Sequence, residues 1–154
     1  EIYNFQDIRK KLTGLGVKFS SNGDTEVLLK GYRLMGLKIL SYLEGMYSFV
    51  IIDRIKGFAI AARDPFGIKP LYIMRTGNLT VFASEMRVFR RLKKSDPDPQ
   101  ALFEFLPFNW AAGTISNEKG IERLQGGFYC KINIKNLENG WSFYFRVTLF
   151  IASY

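Results

Sequence analysis

The chain opens on a helical rhythm: Ile8, Leu12 and Leu15 recur on one face of NFQDIRKKLTGLG, and Gly14 and Gly16 close the run. A short extended piece, VKFS, follows. From Asp24 the apolar positions Val27, Leu28, Tyr32, Leu34 and Met35 repeat the helical pattern, Gly36 ends it, and LKILSYLEG adds a further turn or two of helix. The period then switches to that of strands. MYSFVIID and KGFAIAARD, split by a polar DRIKG turn, predict a hairpin; KPLYIMRTG and NLTVFASE predict a second one around Gly77–Asn78. These strands are apolar almost throughout, where half-exposed strands would alternate, so both faces of their sheet are expected to be covered. Helices followed by such strands predict a layered α+β sandwich around a buried sheet.

Further on, DPQALFEFL predicts a short helix with Asp98 as its cap and Pro99 at the first helical position. Beyond a loop starting at PFNWAAGT, the segments GGFYCKINIKN and GWSFYFRV read as strands flanking an Asn139–Gly140 turn. There is no internal repeat and no low-complexity linker, and 154 residues at 47% hydrophobic content suit one compact domain over 1–154.

Composition narrows the setting. The longest apolar run, Gly45 to Ile52, is far short of a membrane span, so no membrane partner is expected. The start, EIYNFQDIRKKL, mixes acids and bases where a secretory signal would be basic and then apolar. A single cysteine, Cys130, excludes an intramolecular disulfide and fits a reducing, cytoplasmic compartment. The sequence begins at Glu1 without a Met and ends on the apolar YFRVTLFIASY, which leads us to expect a piece cut from a longer chain.

The formal charge is +8, and RVFRRLKK places five bases in eight positions. Val88, Phe89 and Leu92 recur at helical spacing among them, so we read a solvated helix face and expect no nucleic-acid partner.

Candidate chemistry centres on SSNGDTEVLLKGY. On local grounds Asp24, with the neighbouring Ser and Thr, caps a helix, and Thr25 and Glu26 belong to its first turn, where carboxylates favour the helix dipole. In RDPFGIKPLY, Pro65 and Gly67 have turn chemistry and Arg63–Asp64 brace the bend, with a catalytic pair the less favoured reading. Ser84–Glu85 reads as a helix start. Cys130 sits mid-strand as a small core or edge residue. The GLG at Gly14 to Gly16 is too short to cradle phosphate.

Four blocks in one order carry more information: EIYN (1–4), GDTEVLLKGY (23–32), ARDPFGIKPLY (62–72) and FASEMRVF (82–89). With DPQALFEFLPF and GIERLQGGFY, they resemble the class II glutamine amidotransferase domain of glutamine-hydrolysing asparagine synthetases, over residues 1 to about 146. The resemblance implies a four-layer αββα sandwich of the N-terminal-nucleophile hydrolase type. It implies that a cysteine thiolate attacks the side-chain amide of glutamine, ammonia leaves, and water resolves the thioester to glutamate. The cysteine's own α-amino group acts as base, so a chain without histidine is suited to it.

Two site residues carry over. The Asp of the family's SDTE block, which binds the α-ammonium of glutamine, matches Asp24; the Glu of its NGEIYN block, which also contacts glutamine, matches Glu1. Gly23 stands where many relatives have Ser. The family's nucleophile, its carboxylate-gripping Arg and its oxyanion-hole Asn-Gly pair all lie upstream of Glu1. The chain as written is therefore expected to be a fragment that is truncated at both ends and holds no catalytic residue. Without the oxyanion donors alone, activity would fall by about a hundredfold or more. Its sandwich is expected to lack the N-terminal strands, and an open sheet edge favours self-association into a homo-oligomer. ATP and Mg belong to the family's synthetase domain, which is absent, so no cofactor is expected here. The alternative is a degenerate, non-catalytic glutaminase-like binding module.

Overall fold

The computed structural model describes residues 1–77, 79–92, 94, 96–108, 116–134 and 149–152. Two helices, α1 (Phe5–Gly14) and α2 (Asp24–Met35), lead into a 3₁₀ segment (Gly36–Tyr42). Strands β1 (Ser48–Asp53), β2 (Phe58–Arg63), β3 (Tyr72–Thr76) and β4 (Leu79–Ala83) come next. Helices α3 (Arg87–Leu92) and α4 (Pro99–Phe108) then precede β5 (Ile121–Arg123), β6 (Tyr129–Asn133) and β7 (Leu149–Ala152). The architecture is α+β, with helices around two small sheets.

Both predicted hairpins form. β1 and β2 pair antiparallel from Ser48↔Arg63 to Asp53↔Phe58, and β3 and β4 from Tyr72↔Ala83 to Thr76↔Leu79. β6 joins β2 antiparallel and β7 joins β1 in parallel, giving the order β6-β2-β1-β7; the second sheet runs β4-β3-β5.

Strand alternation sorts the core into three clusters. Phe49 and Ile51 of β1, with Ile60 and Ala62 of β2, pack against Ile8 and Leu12 of α1 and Val27 and Leu28 of α2. Val50, Ile52, Ala59 and Ala61 point the other way and meet Leu71, Phe82 and Leu124. The near-continuous apolar strands are thus covered on both faces, as their pattern predicts. Across the second sheet, Met74, Val81, Ala83 and Ile121 enclose Phe89 of α3. Each large side chain fully buried in this way contributes about 1.5–3 kcal/mol, so these clusters hold the layers together.

The helices follow the sequence with two corrections. Leu15 does not extend the α1 stripe: the helix stops at Gly14 and Leu15 is 68% exposed. VKFS forms no strand; Phe19 lies instead between the Arg9 guanidinium (4.6 Å) and the Lys30 ammonium (5.0 Å). In α2, Val27, Leu28, Gly31 and Tyr32 are buried, whereas Leu34 is exposed. Gly31 lets the 3₁₀ segment pack close, since a Cβ there would lie 2.6 Å from the Ile39 δ-methyl.

The α4 start is as expected: Pro99 is its first residue, and the Asp98 carboxylate accepts from the N–H groups of Gln100 (3.0 Å) and Ala101 (3.3 Å). In α3 only Phe89 is buried while Arg87, Arg90 and Arg91 are exposed, so these three bases form a solvated face. Asn78, the Asn139–Gly140 turn and GWSFYFRV lie outside the described residues. No helix among the described residues is long and apolar enough to cross a membrane.

Candidate functional site

The first four residues are pinned to the segment that enters β1. The Glu1 nitrogen donates to the Met46 carbonyl (2.7 Å), Met46 N–H returns a bond to the Glu1 carbonyl (3.1 Å), and Tyr3 N–H donates to the Glu44 carbonyl (2.7 Å). These bonds form a short antiparallel bracket around Ile2 and Gly45. Gly45 has φ +136°, and a Cβ there would stand 2.4 Å from the Glu1 carbonyl oxygen, so only glycine fits. Asn4 adds a staple: its amide donates to the Tyr42 carbonyl (2.7 Å) and accepts from Glu44 N–H (3.1 Å). The Ile2 side chain is buried in the helix-side core. The EIYN block is therefore fixed in position, with Glu1 exposed.

Asp24 faces that bracket. It is the first residue of α2, and the cap position belongs to Gly23, which makes no side-chain cap bond. The cap role expected for Asp24 is thus corrected: its Oδ2 turns from its own helix to accept from Ile2 N–H (3.1 Å), and its Oδ1 lies 3.5 Å from the Thr25 hydroxyl. The physical reason is competition, because the bracket offers an N–H from outside the helix. One good hydrogen bond leaves most acceptor positions of a carboxylate open. Asp24 is half-buried, and the helix dipole favours its negative charge. The bond to Ile2 puts the Asp24 carboxylate beside the backbone of the residue that follows Glu1. Gly23 has ordinary extended dihedrals and open space around a Cβ, so the Ser of the family pattern fits without moving Asp24.

Glu26 does more than occupy the first turn. Its carboxylate reaches back to accept from the N–H groups and hydroxyls of both Ser20 and Ser21, and it pairs with Lys30 at 2.5 Å. The Lys30 ammonium, the Ser20 N–H and the Ser21 hydroxyl together hold its carboxyl well below the usual range. At the other end of α2, the Tyr32 hydroxyl donates to Asp53 (2.9 Å), and Lys56 pairs with the same carboxylate (3.6 Å). Burial and then the Asp53 hydrogen bond push the Tyr32 hydroxyl up. Burial also pushes the Asp53 carboxyl up, but Lys56 N–H, the Tyr32 hydroxyl and the Lys56 charge outweigh it and leave the carboxyl lowered.

Arg63 and Asp64 brace their bend. Asp64 is fully buried and its carboxylate accepts from the N–H groups of Phe66 (3.1 Å), Ile68 (3.0 Å) and Lys69 (3.0 Å). Arg63 donates to the carbonyls of Lys69 (2.7 Å), Leu124 (2.5 Å) and Gly67. With both side chains engaged by backbone, the catalytic-pair reading has no support.

Cys130 lies in β6, paired with Ala61, and packs into the cluster on the sheet face away from α2. Burial pushes its thiol up, which keeps it protonated and a poor nucleophile. Among the described residues there is no group of three or more His, Cys, Asp or Glu side chains that could hold a metal ion. Sequence reasoning missed Gly45 and the reach of Glu26; a lone glycine between the 3₁₀ segment and β1 was the available signal.

Comparison with known proteins identifies the family. Residues 1–144 match the family model described as a glutamine amidotransferase domain, and the chain belongs to that family. Among its relatives, a Mycobacterium tuberculosis (strain H37Rv) protein provisionally named as a glutamine-hydrolyzing asparagine synthetase is 33% identical over 159 residues, covering 99% of this chain and 24% of the relative. Asparagine synthetase (glutamine-hydrolyzing) 1 of Bacillus subtilis is 33% identical over 128 residues, 82% of this chain and 20% of the relative. The chain spans about a quarter or less of the length of these relatives.

Proposed function

We propose that this domain binds glutamine and, within the full protein that carries it, releases ammonia for amide transfer in asparagine biosynthesis. The observation that carries the reading is the half-buried Asp24 carboxylate, held by one good hydrogen bond from Ile2 and left with open acceptor positions beside Glu1. A carboxylate so placed takes the α-ammonium of an amino acid through charge-assisted hydrogen bonds. Glu1, exposed on the bracket, would add a second negative group for the same ammonium, as the family pattern implies. The family membership of residues 1–144 and the names of the relatives supply the substrate class.

The chemistry follows the family scheme. A cysteine thiolate outside residues 1–154 attacks the glutamine amide carbon, the amide nitrogen leaves as ammonia, and water cleaves the thioester to glutamate. In this reading Asp24 and Glu1 hold the far end of the substrate, so their contribution is to its binding and shows in KM rather than in kcat. ATP and Mg serve the acceptor half of the reaction elsewhere in the full protein. The order of layers, with α1 and α2 on the first sheet, the second sheet beneath it and α3 below that, supports an αββα sandwich. The cytoplasm, where glutamine and ATP are abundant, is the compartment this chemistry suits.

The test is glutamate release from glutamine by the full protein, followed against glutamine concentration. Turnover that saturates, with Asp24→Ala raising KM at near-constant thermal stability, is the expected result. A folded full protein that releases no glutamate overturns the reading and leaves a binding module.

A further inference from the structure

Asp24 presents its carboxylate from the first residue of α2, so the direction of that carboxylate depends on how the chain enters the helix. The entry has no capping side chain, because Gly23 occupies the cap position. What fixes it lies one turn further on. Glu26 accepts from Ser20 N–H at 2.9 and 3.1 Å, from Ser21 N–H at 2.6 Å, and from the two hydroxyls at 2.9 and 2.7 Å. Lys30, one turn beyond, pairs with Glu26 and donates to the Lys18 carbonyl. From the opposite side, Arg9 of α1 donates to the Ser21 carbonyl (2.6 Å) and lies over the Phe19 ring that Lys30 also covers. Residues 18–21 are thereby held from both helices, and only Asn22 and Gly23 separate them from Asp24.

We propose that Glu26 is a positioning residue for the glutamine site: by clamping Ser20 and Ser21 it sets the angle at which α2 presents the Asp24 carboxylate to the substrate ammonium. This rests on the glutamine reading above. In an ordinary capping box the carboxylate at this helix position turns back to the cap residue itself. Here it reaches two and three residues further, so it orders the whole approach to the site. Gly23 makes no side-chain cap bond, so without the clamp the entry to α2 loosens and the Asp24 carboxylate moves with it. A charged substrate contact that is no longer held at hydrogen-bond distance loses much of its binding contribution.

The experiment uses the full protein with Glu26→Gln, Glu26→Ala and Lys30→Met, and with Tyr32→Phe as a control that loosens the far end of the same helix. Two quantities are read: KM and kcat for glutamine, and hydrogen exchange of the peptide spanning Glu1 to Asn4, whose Ile2 amide is held by Asp24. We expect Glu26→Ala to raise KM about tenfold with kcat within about twofold. Glu26→Gln and Lys30→Met fall between it and the wild type. Ile2 exchange speeds up in the same order, and Tyr32→Phe moves melting temperature alone. Unchanged KM and Ile2 exchange in Glu26→Ala, with normal wild-type turnover, overturn the positioning role and leave the glutamine reading standing. Equal KM shifts in Tyr32→Phe and Glu26→Ala also overturn it, because the effect is then general loosening. A wild-type protein inert toward glutamine overturns the functional reading and this role with it.

Discussion

Two aspartates stand in the blocks that carry the family resemblance, and the structure treats them in opposite ways. Asp64 is wholly buried, and three backbone N–H groups at 3.0–3.1 Å consume its carboxylate. Asp24 is half-buried and receives one good bond, from Ile2. Both match a motif, so the motif alone does not say which one meets a ligand. Saturation does. A carboxylate whose acceptor positions are filled by its own loop can hold that loop and nothing else, whereas one left with open positions beside an exposed Glu1 can take an ammonium.

The largest expected effect comes from breaking the saturated member. Asp64→Ala leaves three part-buried N–H groups without their acceptor and frees the bend of Arg63, which should cost about 3 kcal/mol in chemical denaturation. A loss below about 1 kcal/mol would place Asp64 in the same class as Asp24 and end the contrast.

Next comes the bracket that holds Ile2. Gly45→Ala forces a side chain into left-handed backbone against the Glu1 carbonyl, at about 2 kcal/mol. It should also raise the glutamine KM, since it displaces both Glu1 and the amide that orients Asp24. A stability loss with KM unchanged would separate the bracket from the site.

Tyr32→Phe removes the bond to Asp53 at the far end of α2 and should cost about 1 kcal/mol. Because it touches neither Asp24 nor Asp64, it calibrates how far helix stability by itself reaches the site.

The smallest effect is a pH dependence. Glu26 has a carboxyl lowered in the folded protein, so its stabilisation is complete above the ordinary glutamate value of about 4.3 and is lost as pH falls toward the lower folded value. The difference in melting temperature between wild type and Glu26→Gln should therefore narrow steadily as pH drops below about 4. A difference that stays constant through that range would mean that Glu26 acts without its charge.

The sequence was legible where a single physical period governs. Ile8 and Leu12, or Val27, Leu28 and Tyr32, announce buried helix faces, and the runs at Phe49 to Ile52 and Ala59 to Ala62 announce a sheet covered on both sides. The Asp98–Pro99 start of α4 was legible because its chemistry is local. Where the partner lies far along the chain, the reading fell short. The parallel pairing of β7 with β1 and the three-residue β5 leave no local pattern. Leu15 kept the helical spacing although α1 had already ended. At the site, Asp24 was found by its motif but assigned a cap it does not make, because the competing N–H comes from Ile2, 22 residues away. Glu26 looked like a first-turn carboxylate; only the path of residues 20–21 reveals where it reaches.

The proposed role of Asp24 is to bind the α-ammonium of glutamine. Its most direct test compares glutamine with glutaramate, the same amide lacking the α-amino group, as substrates for the full protein and for its Asp24→Asn variant. A charged hydrogen bond contributes about 1.5–3 kcal/mol, so wild type should favour glutamine in kcat/KM by roughly tenfold to a hundredfold, and the variant should lose most of that preference. If Asp24→Asn keeps the full wild-type preference, the ammonium is held elsewhere and the account of this site is wrong.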